Sequence, residues 1–243
     1  MRIAVISDIH GNWHGLEAVL ADIEREQVDE IWCLGDVVGY GPQPNRCVSE
    51  VRARTAICLM GNHDLAALGR VQLTDFSPDA AVSATWTAAE LDPEAHDFLA
   101  GLEPKVARQG AELFHGSPRD PVWEYILSES AARAALALTE GPLLLVGHSH
   151  IPIALQLSAD DSLAGGLAKG GSEIELAEGR WVLNPGSVGQ PRDGDPRAAY
   201  LLIELPSGSA HFRRIPYDIE QTQAEIRAEG LPEALAERLA DGE

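Results

Sequence analysis

The chain has 243 residues, with 18 Lys and Arg against 38 Asp and Glu, giving a formal charge of −20. That surplus of acid argues against a duplex nucleic-acid partner, which needs a basic face to neutralise phosphates, and the 45% hydrophobic content argues against disorder. A small phosphorylated substrate stays open, because bound cations reverse the local field of an acidic protein.

The length suits one α/β unit, so residues 1–243 are read as a single domain. No apolar run reaches the roughly 18 residues of a membrane span, so no membrane partner is expected. The short run Ile3 to Ile6 meets Asp8 almost at once, which is not a signal-peptide pattern. Cys33, Cys47 and Cys58 are odd in number and widely spaced, as suits reduced thiols, and the expected location is the cytoplasm.

In chain order, Ile3 to Ile6 is the first predicted strand. Leu16, Val19, Leu20 and Ile23 share one face of a helix from about Trp13 to Glu26. Ile31 to Leu34 and Ala56 to Met60 follow as strands, with a helix over Asn45 to Arg54 between them. A helical insertion is predicted over about 64–104, where Ser77-Pro78-Asp79 and Asp92-Pro93-Glu94 each combine a cap, a first-turn proline and an acid. Val106 to Arg108 and Leu113 to Phe114 read as a hairpin turned at Gly110, Ser128 to Leu138 as a helix, and Leu143 to Val146 as a buried strand.

After His150 the chain reads as largely antiparallel strands: Ile153 to Leu157, Ile174 to Leu176, Trp181 to Leu183, Ala199 to Leu205 and Ala210 to Ile215. Ser158 to Ser172, rich in glycine and acid, reads as a mobile surface loop. Two C-terminal helices are predicted over about 218–240, the first capped by Asp218. Glu225, Glu229, Glu233 and Glu237 read as a solvated face, while Leu231, Leu235 and Leu239 offer a stripe for a homo-oligomer.

Of the eight histidines, five stand in polar segments directly after strand candidates: His10, His63, His115, His148 and His150. Strand ends in wound α/β folds converge on one rim. The same segments carry Asp8, Asp36 and Asn62. Imidazoles and carboxylates meeting without thiolates describe a site for Mn, Fe, Zn or a similar divalent ion.

These segments read Asp8-Ile9-His10, Gly35-Asp36-Val37-Val38-Gly39, Gly61-Asn62-His63-Asp64, the lone His115, and Gly147-His148-Ser149-His150. In that order they resemble the calcineurin-like metallophosphoesterase superfamily. Asn184-Pro185-Gly186-Ser187 and Gly189-Gln190-Pro191-Arg192 extend the resemblance toward its small prokaryotic phosphodiesterase and phosphatase branch. The resemblance implies the metallo-dependent phosphatase fold, a four-layer α/β/β/α sandwich with two mixed β-sheets flanked by helices. It also implies a dinuclear centre with one ion on Asp8, His10 and His150, the other on Asn62, His115 and His148, and Asp36 bridging. Mn is the first candidate, with Fe, Zn, Ni and Mg as alternatives. His63 would be the non-ligand histidine that protonates the leaving oxygen.

Gly39-Tyr40 stands where the protein-phosphatase branch has Asp-Arg, so the acid that would orient His63 is missing there. Asp64 is adjacent. Arg192 is a candidate to hold a substrate phosphate, or to pair with Asp193 or Asp195 on the surface. The Tyr40 ring is a candidate to stack on a nucleobase or aryl group, or to cover its loop. His14 is expected on a partly exposed helix face, and His96 and His211 at the surface.

The expected activity is hydrolysis of small phosphodiesters or phosphomonoesters by attack of a metal-bridging hydroxide, without a covalent phosphoenzyme. Alternatives are a dinucleoside polyphosphate or pyrophosphate hydrolase, and a non-catalytic interaction module that has kept the fold and the metals.

Overall fold

Along the first strand, β1 (Arg2–Ile6), Ala4 and Ile6 face one way and Ile3 and Val5 the other, and all four side chains are buried. A strand dry on both faces needs cover on both sides, and that requirement sets the layering. In the computed structural model, which describes residues 1–176, 178–205 and 208–243, Ala4 and Ile6 pack under α1 (Trp13–Glu26), while Ile3 and Val5 pack against a second sheet.

The chain continues through β2 (Glu30–Cys33), α2 (Pro44–Arg54), β3 (Ile57–Cys58), α3 (Asn62–Ala67), a short 3-10 turn over Leu73–Asp75, α4 (Pro78–Glu90) and α5 (Pro93–Ala100). β4 (Lys105–Arg108), β5 (Ala111–Phe114), α6 (Glu129–Leu136) and β6 (Leu143–Val146) follow. Then come β7 (Ile153–Leu157), β8 (Leu163–Leu167), β9 (Glu173–Glu175), β10 (Arg180–Asn184), β11 (Ala198–Glu204), β12 (Ser209–Ile215), α7 (Ile219–Ala228) and α8 (Glu233–Asp241). One six-stranded sheet runs β3-β2-β1-β11-β12-β9 and the other β4-β5-β6-β10-β7-β8. Both are mixed, and helices cover their outer faces, which makes the four-layer α/β/β/α sandwich that the motifs imply.

The core between the sheets holds Trp32, Leu34, Leu113, Leu145, Leu183, Leu201 and Phe212. Each such side chain, fully buried, contributes about 1.5–3 kcal/mol. Ala132, Ala135 and Leu136 of α6 close the far face of the second sheet over Leu144, Val146 and Val182. Ser77, Asp92, Ser128 and Asp218 each accept a backbone N–H at a helix start, as expected for Ser77, Asp92 and Asp218. The hairpin of β4 and β5 turns at Gly110, where φ is +81°.

The strands after His150 are divided between both sheets, and β10 runs parallel to β6. Two expectations fail. The segment expected as a loop contains β8, whose main chain pairs with all of β7 from Ile153↔Leu167 to Leu157↔Leu163. Its glycines mislead: a Cβ on Gly165 would stand 2.1 Å from the Ala154 carbonyl oxygen, so close strand approach requires glycine there. The C-terminal leucines are not a free stripe either. Leu231, Leu235 and Leu239 are buried with Ile226, and Tyr40, Trp86 and Ile219 pack on them. That face is spent within the chain, because two short helices joined by a turn bury their apolar sides against each other and the body. Among the described residues no helix is long and apolar enough to cross a membrane.

Candidate metal centre

β1, β2 and β3 are parallel, as are β5, β6 and β10, so the C-terminal ends of six strands open on one rim. Asp8 and His10 follow β1, Asp36 follows β2, and Asn62 and His63 open α3 after β3. His115 follows β5, and His148 and His150 follow β6. All are buried. Of the nine non-glycine residues with positive φ among the described residues, six stand here: Asp8, His10, Asp36, Tyr40, His148 and His150. A left-handed backbone costs roughly 1–2 kcal/mol per such residue, and concentrating it in one rim aims side chains that ordinary turns would send elsewhere. Gly61 permits the approach: a Cβ there would lie 2.0 Å from Asp36 Oδ1.

Asn184 ties the second sheet's contribution together. Its Nδ2 donates to the Gly147 carbonyl at 2.7 Å and to Ser149 Oγ at 3.0 Å, while its Oδ1 accepts from the Gly186 amide. Ser187 Oγ then donates to the Asp8 carbonyl at 2.7 Å, so the turn after β10 fastens the loops of both sheets to each other.

The donor atoms fall into two groups that share Asp36: Asp8, His10, Asp36 and His150, and Asp36, His115 and His148. Asn62 belongs with the second, its Oδ1 lying 3.2 Å from His115 Nε2. This partition is the one that the resemblance implies.

Backbone carbonyls fix which imidazole nitrogen is free. His10 Nδ1 faces the Val38 carbonyl at 3.2 Å, and His150 Nδ1 faces the Gln190 carbonyl at 2.7 Å, so both Nδ1 atoms carry the proton. The two Nε2 atoms then confront each other at 3.0 Å as lone pairs. His148 is the mirror case, its Nε2 donating to the Trp123 carbonyl at 3.1 Å and its Nδ1 left free. Asp36 Oδ2 is buried without a hydrogen-bond partner. Acceptors that face acceptors in a dry pocket repel unless a cation lies among them, so the residues fit a metal ion.

For His10, His148 and His150 the electrostatics agree. Burial pushes His10 and His150 well below the usual imidazole range and His148 down to about 3, leaving neutral rings with available lone pairs. Burial opposes the charged form of His115 as well, but the Asp36 carboxylate outweighs it and holds that ring up at about 9. Asp36 is held far below the usual carboxylate range by the surrounding imidazoles despite its burial, whereas burial raises Asp8 to about 7.

His63 stands at the edge of this cluster. Its amide donates to Asp36 Oδ1 at 2.8 Å, and its Nδ1 is buried without a partner. Asp64 does not orient it. The Asp64 carboxylate accepts the amides of Asp36, Val37, Val38 and Gly61, and so clamps the Asp36 loop to the start of α3. The His63 ring is instead held by packing, with Tyr40 at 4.3 Å, His10 at 4.8 Å and Phe76 at 5.0 Å between centroids.

Tyr40, half-buried, lies against both His10 and His63, with the α7–α8 pair packed behind it, so its ring covers the loop. Arg192 pairs with neither Asp193 nor Asp195, which bind Arg214 and Arg197. It donates to Gln190 Oε1 at 2.6 Å and reaches Tyr40 Oη at 3.5 Å, and its charge bears on Asp8, His10, His63 and His150. His14 is outside the cluster, 3.0 Å from Glu225, which is therefore a partner of α1 rather than part of a solvated face. His96 is exposed, and His211 lies on β12 beside Glu173.

Sequence reasoning missed Phe76, Trp123 and Tyr125, which ring the site. Their signal was available: two aromatics in a polar loop just after His115, in a chain with only 5% aromatic residues.

The calcineurin-like phosphoesterase superfamily domain matches residues 1–208. An uncharacterized protein of Methanocaldococcus jannaschii is 37% identical over 243 residues, covering 98% of this chain and 96% of that protein. A symmetrical bis(5'-nucleosyl)-tetraphosphatase of Nitrosococcus oceani is 31% identical over 152 residues, covering 58% of this chain and 52% of that enzyme. Among solved structures, a metallophosphoesterase from Sphaerobacter thermophilus superposes with a TM-score of 0.91 at 41% identity, covering 100% of both chains. With the fold, the rim of donors and a match over most of its length, the chain belongs to the calcineurin-like phosphoesterase superfamily.

Proposed function

We propose that the chain is a metal-dependent hydrolase of small phosphodiesters or phosphomonoesters, working with two divalent ions and Mn as the first candidate. One observation carries this reading: the two buried Nε2 lone pairs of His10 and His150 opposed at 3.0 Å beside the unpartnered Oδ2 of Asp36. Asp8, His10 and His150 would hold one ion, Asn62, His115 and His148 the other, and Asp36 both. Divalent ions bound there supply Lewis acidity toward water and toward the phosphoryl oxygens.

The chain's own side chains would do the rest. Arg192 would grip a phosphoryl oxygen through a guanidinium already braced on Gln190. His63 would move the proton. Burial sets it near 4, so it meets the substrate as a neutral ring, and the negative charge of an arriving phosphate is what would draw a proton onto it for delivery to the leaving oxygen. Tyr40 and Phe76 keep that ring aimed and exclude water from its faces.

The tetraphosphatase relative favours a second reading, a dinucleoside polyphosphate hydrolase. Rates with added Mn on a bis-aryl phosphate, a mono-aryl phosphate and a dinucleoside tetraphosphate separate the two. Chelator-sensitive turnover of any of them supports the hydrolase; no turnover of any, with metal bound, leaves the interaction module.

A further inference from the structure

A second tyrosine beside the donor cluster is more open than Tyr40. Tyr125 is 45% exposed, and one face of its ring lies flat on His148, 4.1 Å away and 2° from parallel. His148 is itself buried, so the exposed area of Tyr125 belongs to the opposite face and edge. The charge of Arg192, the guanidinium braced on Gln190, acts on its hydroxyl. An aromatic plane thus stands one ring's thickness beyond a metal-donor imidazole, open to solvent on its outer side.

The loop that carries it is built to hold still. Gly116 N donates to the Pro121 carbonyl at 2.8 Å, and Ser117 N to the Asp120 carbonyl at 2.9 Å. Asp120 Oδ1 accepts the amides of Val122 and Trp123, each at 3.1 Å. Ser117 Oγ donates to Glu124, which also pairs with Arg119. The Trp123 carbonyl is the partner of His148 Nε2, and the Trp123 ring meets Phe76 at 5.3 Å. A surface loop tied at this many points gives up little entropy when it receives a ligand.

We propose that the outer face of Tyr125 is a subsite for a planar aromatic group esterified to the substrate phosphate, either a nucleobase-bearing nucleoside or a simple aryl group. The inference rests on the phosphoesterase reading of the same site and adds the substrate class. A fixed, half-exposed ring beside a phosphate-binding centre recognises any π-face, and stacking on such a ring strengthens binding by roughly tenfold or more. A substrate that is only alkyl phosphate has nothing to place there.

Phosphonates test this without turnover, since their carbon–phosphorus bond is not a hydrolysable ester. Calorimetric titration of the Mn-loaded protein should show phenylphosphonate binding about tenfold tighter than methylphosphonate. In Tyr125→Ala that advantage should fall below about twofold while the methylphosphonate affinity holds, and Tyr125→Phe should retain it. The methylenephosphonate analogue of adenosine monophosphate assigns the source: tighter binding than phenylphosphonate points to a nucleobase, equal or weaker binding to an aryl ester. Equal affinity of the wild type for phenyl- and methylphosphonate overturns the subsite. So does an equal loss of both ligands in Tyr125→Ala, which would make Tyr125 a prop for His148 only. Failure of the hydrolase reading would show separately, as intact phosphonate binding without turnover of any ester.

Discussion

Two polar clusters in this chain are each centred on a buried aspartate and differ in how completely it is satisfied. Under α1, Asp22 accepts from Tyr200 Oη at 2.6 Å, Arg213 Nη2 at 2.9 Å and Arg25 Nη2 at 2.7 Å, so each carboxylate oxygen meets a donor. At the rim, Asp36 Oδ2 makes no hydrogen bond among the described residues, with the His115 imidazole at 3.4 Å, and the lone pairs of His10 and His150 point at each other. The first cluster is complete as folded and accounts for itself as structure. The second leaves acceptors facing acceptors in a dry pocket, an arrangement that fits a bound cation.

Removing the carboxylate of the second cluster should have the largest effect. Asp36→Asn is expected to lower turnover by at least roughly 10³-fold with loss of bound metal, measured by steady-state kinetics and elemental analysis on the same sample. Above about pH 9, where His115 is neutral without Asp36 to hold its proton, the metal-free form should be no less stable than the wild type, since the amide that replaces Oδ2 can donate to the lone pairs around it. A metal-free Asp36→Asn protein that melts well below the metal-free wild type at that pH would break the contrast.

His63→Ala should cut turnover by about 10²–10³-fold while metal content persists. That split sharpens the distinction between the groups proposed to hold cations and the one proposed to handle the proton. Saturating Mn should then raise the melting temperature of the wild type by about 5–10 °C, from about 2.7 kcal/mol of linkage at a hundred times the dissociation constant. Asp36→Asn should show little of that rise.

The complete cluster should respond as ordinary structure. Asp22→Asn is expected to cost about 2 kcal/mol near neutral pH, a drop of about 4–8 °C in melting temperature, with no change in metal content. Burial works against the ionised Asp22, but the Tyr200 hydrogen bond and the Arg25 and Arg213 guanidiniums prevail and hold its carboxyl below the usual value of 3.8. A folded-state value below the unfolded one stabilises above the unfolded value, and that stability is lost as pH falls through the folded value. The gap between Asp22→Asn and wild type should therefore close in acid denaturation series below about pH 4. A gap that widens there would reverse the assignment.

Much of the rim was legible because its chemistry sits in short segments directly after strands. Asp8, His10, Asp36, Asn62, His115, His148 and His150 could each be placed at a strand end from a few residues of context, and the fold brings them together. What depended on contacts distant in sequence was not legible. Asp64 neighbours His63 in the chain but spends its carboxylate on the backbone of the Asp36 loop, 26 to 28 residues away. Tyr40 could be read as a stacking ring or as loop cover because α8, which packs on it, is nearly 200 residues downstream and looked solvated. β8 was hidden by glycine, whose use in close strand approach reads in sequence like flexibility.

The most direct test counts the ions. Protein equilibrated with Mn, dialysed and analysed for metal should carry two ions per chain, both lost in Asp36→Asn and both kept in His63→Ala. A wild-type chain that retains none, or an Asp36→Asn chain that retains both, would contradict the account.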